Sequence, residues 1–567
     1  MAEMILPGTY IEVRAEGLIT PERVTVNNVG VVGTAAKGPI DITTTGSTTT
    51  VVGVPTLVSS YGEARAIFGD YDAWVDGASD ELTLVRALEL AFAHGATTVW
   101  ATRVASAAAA KASYLVSSAS GDCIALTAKT EGSWGNDLKI NIFDAQANAF
   151  VEDEVHSGPT VTLANTEIVK SARNRILLAT DADGLTRPMQ LLYADDSPGA
   201  PTSAQVVVDR NTGALTFGAT VGAADTVTAS YLVAAADSVK VTLKLGAQEE
   251  VYTVVSGADL ANDIKDNSQW VNAQAQANSA ELPTKSASAT EFAAFGTGSN
   301  TPGANGEINA DYKIGLDALL NEDAHIIVAA GQDDSFGDEM DAHCQVASSD
   351  AYRRERIGVV GSTLGATLDQ LRGHNLASDR VIFVGPGVKT TDAASNKEVT
   401  LPGAYSAAAI AGLLASYSPH VSLTNKTLRV GDLEKRYSAA ELTQLVQARM
   451  LALEARRGIR VVKGITTSTN TAWHQITTRR IVDFAKIGVR GAASSFIGLL
   501  NNERVRGALR TSINIFLAEM VQDEMLISYD LNVSATREQE RQGIVQVDMV
   551  LRPTFSIDFI KVTMFLE

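Results

Sequence analysis

Strand and helix patterns alternate over residues 29–104 and again over 314–384, with a long block of different composition between them. In the first stretch, the buried-type strand "VGVVG" (29–33) ends in the turn "KGP" (37–39). The helical runs "GEARAIFG" and "LTLVRALELAFAHG" follow, with Leu84, Leu88 and Phe92 at four-residue spacing, and then the strand "TTVWATRV" (97–104). The second stretch reads as a helix "IGLDALLN", a strand "AHIIVAAG", a helix near 338–355 and the strands "RIGVVG" and "RVIFVGPG". Such alternation builds an α/β sheet with helices on its faces. Its interruption requires a discontinuous domain, 26–111 with 308–438, carrying 112–307 as an insertion.

The insertion is rich in Thr, Val, Ala and Gly. Its strand patterns include "LKINIF" (138–143), "AQVVVD" (204–209), "TVTASYLV" (226–233), "SVKVTLKL" (238–245) and "EVYTVV" (250–255). "RNTG" (210–213) sits between two such runs, and "GPT", "SPGAP" and "DADG" punctuate the rest. The expectation is one or two β-sandwich-like domains, with 158–236 as a module of its own. "GTGSNTPGANGE" (296–307) reads as a flexible return linker.

Residues 439–553 read as a separate α+β unit. "AAELTQLVQARMLALEARR" (439–457) predicts a helix, "GIRVVKGI" (458–465) a strand, and 477–499 a second helix. In the helix that follows, Val505, Leu509, Ile513, Phe516, Leu517 and Met520 share one face. Strands are expected over 525–533 and 543–551. In "TFSIDFIKVTMFLE" (554–567), Phe555, Ile557 and Phe559 alternate with Ser556 and Asp558. The phase slips at Ile560, after which Val562, Met564 and Leu566 hold the apolar positions, so a bulge is expected near 559–560. A strand this apolar needs a cover, or it invites aggregation.

Charge narrows the class of partner. The net charge is −19, with 31 Lys and Arg against 53 Asp and Glu over 1–450, and 15 against 12 over 451–567. An acidic body argues against nucleic-acid binding, while the last part suits an acidic partner. Two cysteines, Cys123 and Cys344, make no disulfide framework. The expectation is a chain with neither a signal peptide nor a transmembrane segment, since "MAEMILPGTY" lacks the required pattern and "AAAIAGLLA" is too short to span a bilayer.

Catalytic patterns fail on inspection. "VVGTAAKGP" lacks the Gly-Lys-Ser/Thr order of a phosphate loop. A hydrolase would draw on His325, His343, His374, Asp333, Asp334 and Ser362, but "GSTLG" (361–365) is not a nucleophile elbow. His343 and Cys344 are helical neighbours and point about 100° apart. The histidines have no metal-ligand spacing, and "DADG" lacks the later ligands of a calcium loop. No enzyme activity, cofactor or metal is expected.

"PGTYIEV" (7–13), "VGVVGTAAKGP" (29–39), "PTLVSSYGEARAIFG" (55–69) and "FAHGATTVWATRV" (92–104) resemble the opening of contractile tail sheath proteins, the family that includes phage tails and R-type pyocins. "GSWGNDLKI" (132–140) is similar to a turn of that family. The run 478–520 with "ISYDLNV" resembles its C-terminal domain, including Arg480, Asp483, Asn501 or Asn502, and Arg506. The resemblance implies a subtilisin-like, non-catalytic α/β domain with outward insertions and an inner C-terminal domain. It implies an N-terminal arm (1–25) and a C-terminal arm strand (554–567) exchanged between subunits. Tyr10, Ile11, Val13, Phe555, Ile557, Phe559, Val562 and Met564 would lie on the exchanged strands, with Pro553 as hinge. The implied partners are copies of the chain in six-fold rings, a tail tube, and baseplate and terminator proteins, in a virion tail assembled in the host cytoplasm. Arg504, Arg506 and Arg510 are candidate tube contacts. The competing expectations are a non-contractile shell or adhesin protein, and a hydrolase.

Overall fold

The computed structural model describes residues 26–45, 48–75, 81–181 and 184–565. The expected N-terminal arm, with Tyr10, Ile11 and Val13, lies outside the described residues, as do Leu566 and Glu567. The chain forms two compact units: one of residues up to Ala35, Ile40–Ser106 and Glu307–Glu567, the other of Ala36–Pro39 and Ala107–Gly306.

In chain order, the strands of the first unit's main sheet are β1 (Val29–Gly33), β2 (Thr56–Val58), β3 (Val99–Arg103), β4 (Ile326–Asp333), β5 (Ile357–Gly361), β6 (Val381–Gly385), β7 (Thr427–Leu428), β8 (Leu451–Ala455) and β9 (Ile459–Val461). They lie in the order β7-β9-β8-β6-β5-β4-β1-β3-β2. The neighbours from β8 through β3 pair in parallel, and antiparallel pairs close both edges. β1, β5 and β6 are buried at every position, which is why their sequences are unbroken apolar runs instead of alternating ones. Helices α1 (Leu84–Ala93), α2 (Gly337–Ala347), α3 (Gly403–Ala415) and α4 (Ala439–Gln447) serve this sheet. α3 is apolar all round because every one of its residues is buried. Where α3 crosses α1, a Cβ on Gly412 would fall 2.2 Å from the Ala91 carbonyl oxygen, so only glycine permits that approach.

One sequence expectation is corrected here. Residues 439–457 are not a single helix: α4 stops at Gln447, Arg449 takes a left-handed φ of 67°, and Leu451–Ala455 is a strand of the main sheet. Leu451, Ala452 and Leu453 are fully buried there, so burial in the sheet overrides the helix propensity of an Ala/Leu/Glu-rich run. Residues 439–461 therefore complete the α/β sheet and do not open the C-terminal unit.

Beyond the sheet, α5 (Ile476–Ser494) and α6 (Glu503–Gln522) pack on a β-hairpin, β10 (Leu526–Ser534) and β11 (Gln546–Pro553). The expected α6 stripe forms the core: Leu509, Ile513, Phe516, Leu517 and Met520 are buried, against Ile481, Ala485 and Ala492 of α5. Phe516 stacks on Phe484 at 5.7 Å, and a Cβ on Gly488 would lie 1.9 Å from the Phe516 ring. Gly488→Ala is therefore expected to cost about 1–3 kcal/mol through overpacking. Chemical denaturation checks this, and adding Phe516→Leu should recover part of the loss.

The second unit has two cores. One joins the strands Gln248–Val254, Val239–Leu245 and Leu138–Asp144 to the sheet of Val271–Ala275, Asp122–Ala128 and Ser113–Ser117 and to the helix Gly257–Asn267. The other, around Val206, Val208, Val227, Ala229 and Tyr231, occupies 149–233. It starts before residue 158 because Ala149–Ser157 pairs with Thr226–Val233. The expected return linker is instead tied down. Ala110 and Ala304 exchange backbone hydrogen bonds, Gly296 N–H donates to the Ser113 carbonyl, and Asn136 bridges both backbone groups of Gly303.

Candidate assembly interface

β10 and β11 pair antiparallel, with Tyr529 opposite Leu551, Leu531 opposite Met549 and Val533 opposite Val547. Among the described residues this sheet has only those two strands, so both outer edges carry backbone groups without ladder partners. Tyr529, Leu531, Val533, Val547 and Leu551 turn toward the α5–α6 core but stay only partly buried. A two-stranded ribbon is too narrow to cover two helices. An open groove of about 930 Å³ runs along it, lined by Arg510, Asn514, Tyr529 and residues of both strands.

Pro553 is the last residue of β11, opposite Leu526. Pairing continues one residue further, where Thr554 N–H donates to the Met525 carbonyl, so the ladder does not break at Pro553 itself. Residues 554–565 belong to no strand. Phe555, Ile557, Phe559, Ile560, Val562, Met564 and Phe565 are 60–88% exposed. This concentration of bare apolar side chains is what sequence patterning alone would place on a buried strand face.

Of the three arginines singled out on α6, Arg510 lines the groove. Arg506 is committed within the unit, donating to Asn501 Oδ1 at 2.8 Å and pairing with Glu540 at 3.0 Å. Asn501 also donates to the Ile544 carbonyl, and Asn502 caps α6 by accepting from Val505 N–H. These residues set the start of α6 against the turn that leads into β11.

The first half of α5 is buried against the main sheet through charge. Asp483 accepts from Arg380 at 3.0 and 3.1 Å and from Arg479 at 2.7 Å, and Arg479 reaches Asp379 at 2.8 Å. Trp473 stacks on the Arg479 guanidinium at 4.4 Å. Arg480 donates to Asn27 Oδ1 and the Tyr417 carbonyl, and burial pulls its pKa down to about 10. Glu355, with no exposed side-chain surface, pairs with Lys486 and Arg490. Sequence reasoning missed Asp379, Arg380 and Glu355. The available signal was a cluster of charges, Arg479, Arg480 and Asp483, within one turn of α5 and beside the apolar Ile481.

The hydrolase candidates do not converge. Ser362 is 1% exposed and packed under Gly385 and Gly403. His374 hydrogen-bonds the Ala448 carbonyl and packs edge-on to Phe383, while Asp333 accepts from Ser335. His325 lies 3.5 Å from Asp323. His343 receives Arg356 at 3.0 Å, and burial pushes the neighbouring Cys344 thiol up to about 12, far from a reactive thiolate. Among the described residues no cluster of His, Cys, Asp and Glu is placed to hold a metal, and no helix is long and apolar enough to cross a membrane.

Residues 305–467 match the family model of the phage tail sheath protein central domain, and residues 468–567 that of the phage tail sheath C-terminal domain. Among solved structures the chain is similar to a sheath tail protein of Desulfitobacterium hafniense, at 16% identity and a TM-score of 0.59, over 96% of each chain. It is likewise similar to a sheath tail protein of Listeria innocua, at 14% identity and a TM-score of 0.57, over 96% of this chain and 95% of that one. The contracted helical sheath of the anti-feeding prophage aligns more loosely, at 12% identity and a TM-score of 0.47, over 99% of each chain. No curated protein matches the sequence. Residues 305–567 thus carry two adjoining phage tail sheath domains, in a chain whose mixed α/β multidomain fold is like that of the sheath structures.

Proposed function

We propose that this chain is the structural subunit of a contractile sheath, without enzyme activity. It polymerises as stacked six-fold rings around a tail tube and contracts to drive the tube through a host cell envelope. One observation carries the reading: a two-stranded sheet with open edges stands in the same chain as an uncovered apolar segment. Each supplies what the other lacks once the partner is a second subunit. In this β-augmentation, 555–567 of one subunit adds to β10–β11 of a neighbour, and 8–13, with Tyr10, Ile11 and Val13, comes from another. Ordering the arm costs about 1–2 kcal/mol per residue, and burying each Phe or Ile contributes about 2 kcal/mol. A single arm is thus a marginal link, and many arms acting together make the lattice durable.

The α/β domain, subtilisin-like in outline, serves as scaffold, and the arm linkers absorb the motion of contraction while compact domains re-pack. Baseplate and terminator proteins would bound the stack at its ends. Arg504 and Arg510 are the residues we assign to an acidic tube surface, with Arg506 holding α6 in place. Negative-stain electron microscopy of the full chain beside a version lacking 555–567 tests the reading. Wide hollow tubes from the full chain and dispersed subunits from the truncation are expected. Tubes from both would return the segment to its own subunit, and closed shells or fibres would replace the sheath reading with that of a shell or adhesin.

A further inference from the structure

Within the exposed segment 554–565, one side chain is held. The side chain of Asp558 is 10% exposed, between Ile557 at 81% and Phe559 at 84%. Its carboxylate faces the α/β domain of its own chain: Thr424 Oγ1 donates to it at 3.3 Å, Gln475 Nε2 at 3.4 Å, and Lys463 Nζ lies at 3.6 Å. Ser556, on the same side of the segment, donates at 3.2 Å. Thr424 accepts from Ser422 and from Gly464 N–H, so its hydroxyl proton is free for Asp558. Lys463 also sits 5.5 Å over the Phe559 ring. The sequence marks the same point: apolar positions run 555, 557, 559 up to Asp558 and its neighbour, then change phase to 560, 562, 564.

We propose that Asp558 is an anchor within each subunit. It divides the segment into a stem, 554–559, whose polar side grips the donor's own α/β domain, and a donated strand that begins at Ile560. The proposal rests on the strand-exchange reading and narrows the donated segment from 555–567 to 560–567. Phe555, Ile557 and Phe559 stay with the donor as an apolar ridge, and Ile560, Val562 and Met564 set the register on the neighbour. A fixed stem shortens the free reach, since eight residues, 560–567, span at most about 26 Å at roughly 3.3 Å each. It also raises the effective concentration of the strand at one acceptor position.

The test is the critical concentration for tube formation by the full chain, read by sedimentation and microscopy. Asp558→Lys and Lys463→Asp are each expected to raise it about tenfold, and both changes in one chain should restore it to within about twofold. An equimolar mixture of the two single variants should remain impaired, because neither chain carries a complete pair. A mixture that assembles like the unaltered protein would place the pair between subunits and overturn the anchor. So would single variants with an unchanged critical concentration. Thermal unfolding of the unassembled variants should match the unaltered chain, since Asp558 lies outside the core clusters; a lowered midpoint would make Asp558 a folding residue and overturn the assignment. Deleting 560–567 separates the two readings. Tubes from that deletion would sink strand exchange, whereas its loss of tubes beside an unaffected Asp558→Lys would sink the anchor alone.

Discussion

Asp483→Ala is expected to lower the unfolding free energy by about 3–5 kcal/mol, the cost of leaving buried guanidinium groups without their carboxylate. Asp483, Arg380 and Arg479 each have side chains no more than 8% exposed. Arg479 keeps Asp379, itself a third exposed, so the heavier penalty falls on Arg380, whose other acceptor is the Arg356 carbonyl. Asp483→Asn should fall between, since a neutral amide oxygen still accepts from one arginine while its NH₂ faces the other. The contrast that isolates the mechanism is a triple change of Arg380, Arg479 and Asp483 to methionine. If the loss in Asp483→Ala comes from uncompensated charge, the triple variant should be the more stable of the two. Urea denaturation of the unassembled subunit measures both. A loss below about 1 kcal/mol in Asp483→Ala, or a triple variant less stable than the single, would show that packing carries this joint instead. Arg380 immediately precedes the strand β6 and Asp483 lies on α5, so the network ties the C-terminal helices to the sheet. In the lattice proposed above, which would re-pack around compact bodies, that joint has to stay closed, and a buried charge cluster suits this place better than a flexible link.

What sequence could and could not disclose divides along physical lines. β1, β5 and β6 announced themselves as apolar runs because both their faces are covered, and the α6 stripe because one face is. Leu451–Ala455 was hidden, since its residues are good helix formers and only the neighbouring strands force them to extend. The tie-down of 296–306 was hidden for a related reason: Gly, Asn and Thr read as a linker, and the backbone partners at Ala110 and Ser113 lie far away in sequence. For the interface, alternation exposed the apolar face of 554–567 but not its cover. Asp558 read as the polar half of that alternation, and its partners at 424, 463 and 475 share no periodicity with it.

The protein should lose stability as pH falls from 6.5 toward 4, with His343 as a principal cause. A guanidinium only donates, so Arg356 at 3.0 Å requires His343 Nε2 to be an unprotonated acceptor. Burial, and then the charge of Arg356, pull the His343 pKa from its ordinary 6.5 to about 3. The folded pKa lies below the unfolded one, so the unfolded chain takes up the proton first. The stability lent by the neutral ring is present above pH 6.5 and drains away as pH falls toward 3, at about 1.4 kcal/mol per unit. By pH 4 that amounts to roughly 3 kcal/mol from this residue. His325, brought down to about 4 by burial, adds a loss of the same sign over pH 6.5 to 4. His343→Gln keeps an acceptor for Arg356 and removes the titration. Urea denaturation at steps between pH 7 and 4.5 should show a shallower decline for His343→Gln than for the unaltered chain, by about one proton's worth of slope. Equal slopes would mean that His343 is already charged in the folded protein, and the Arg356 contact would then have to be repulsive and opened by water.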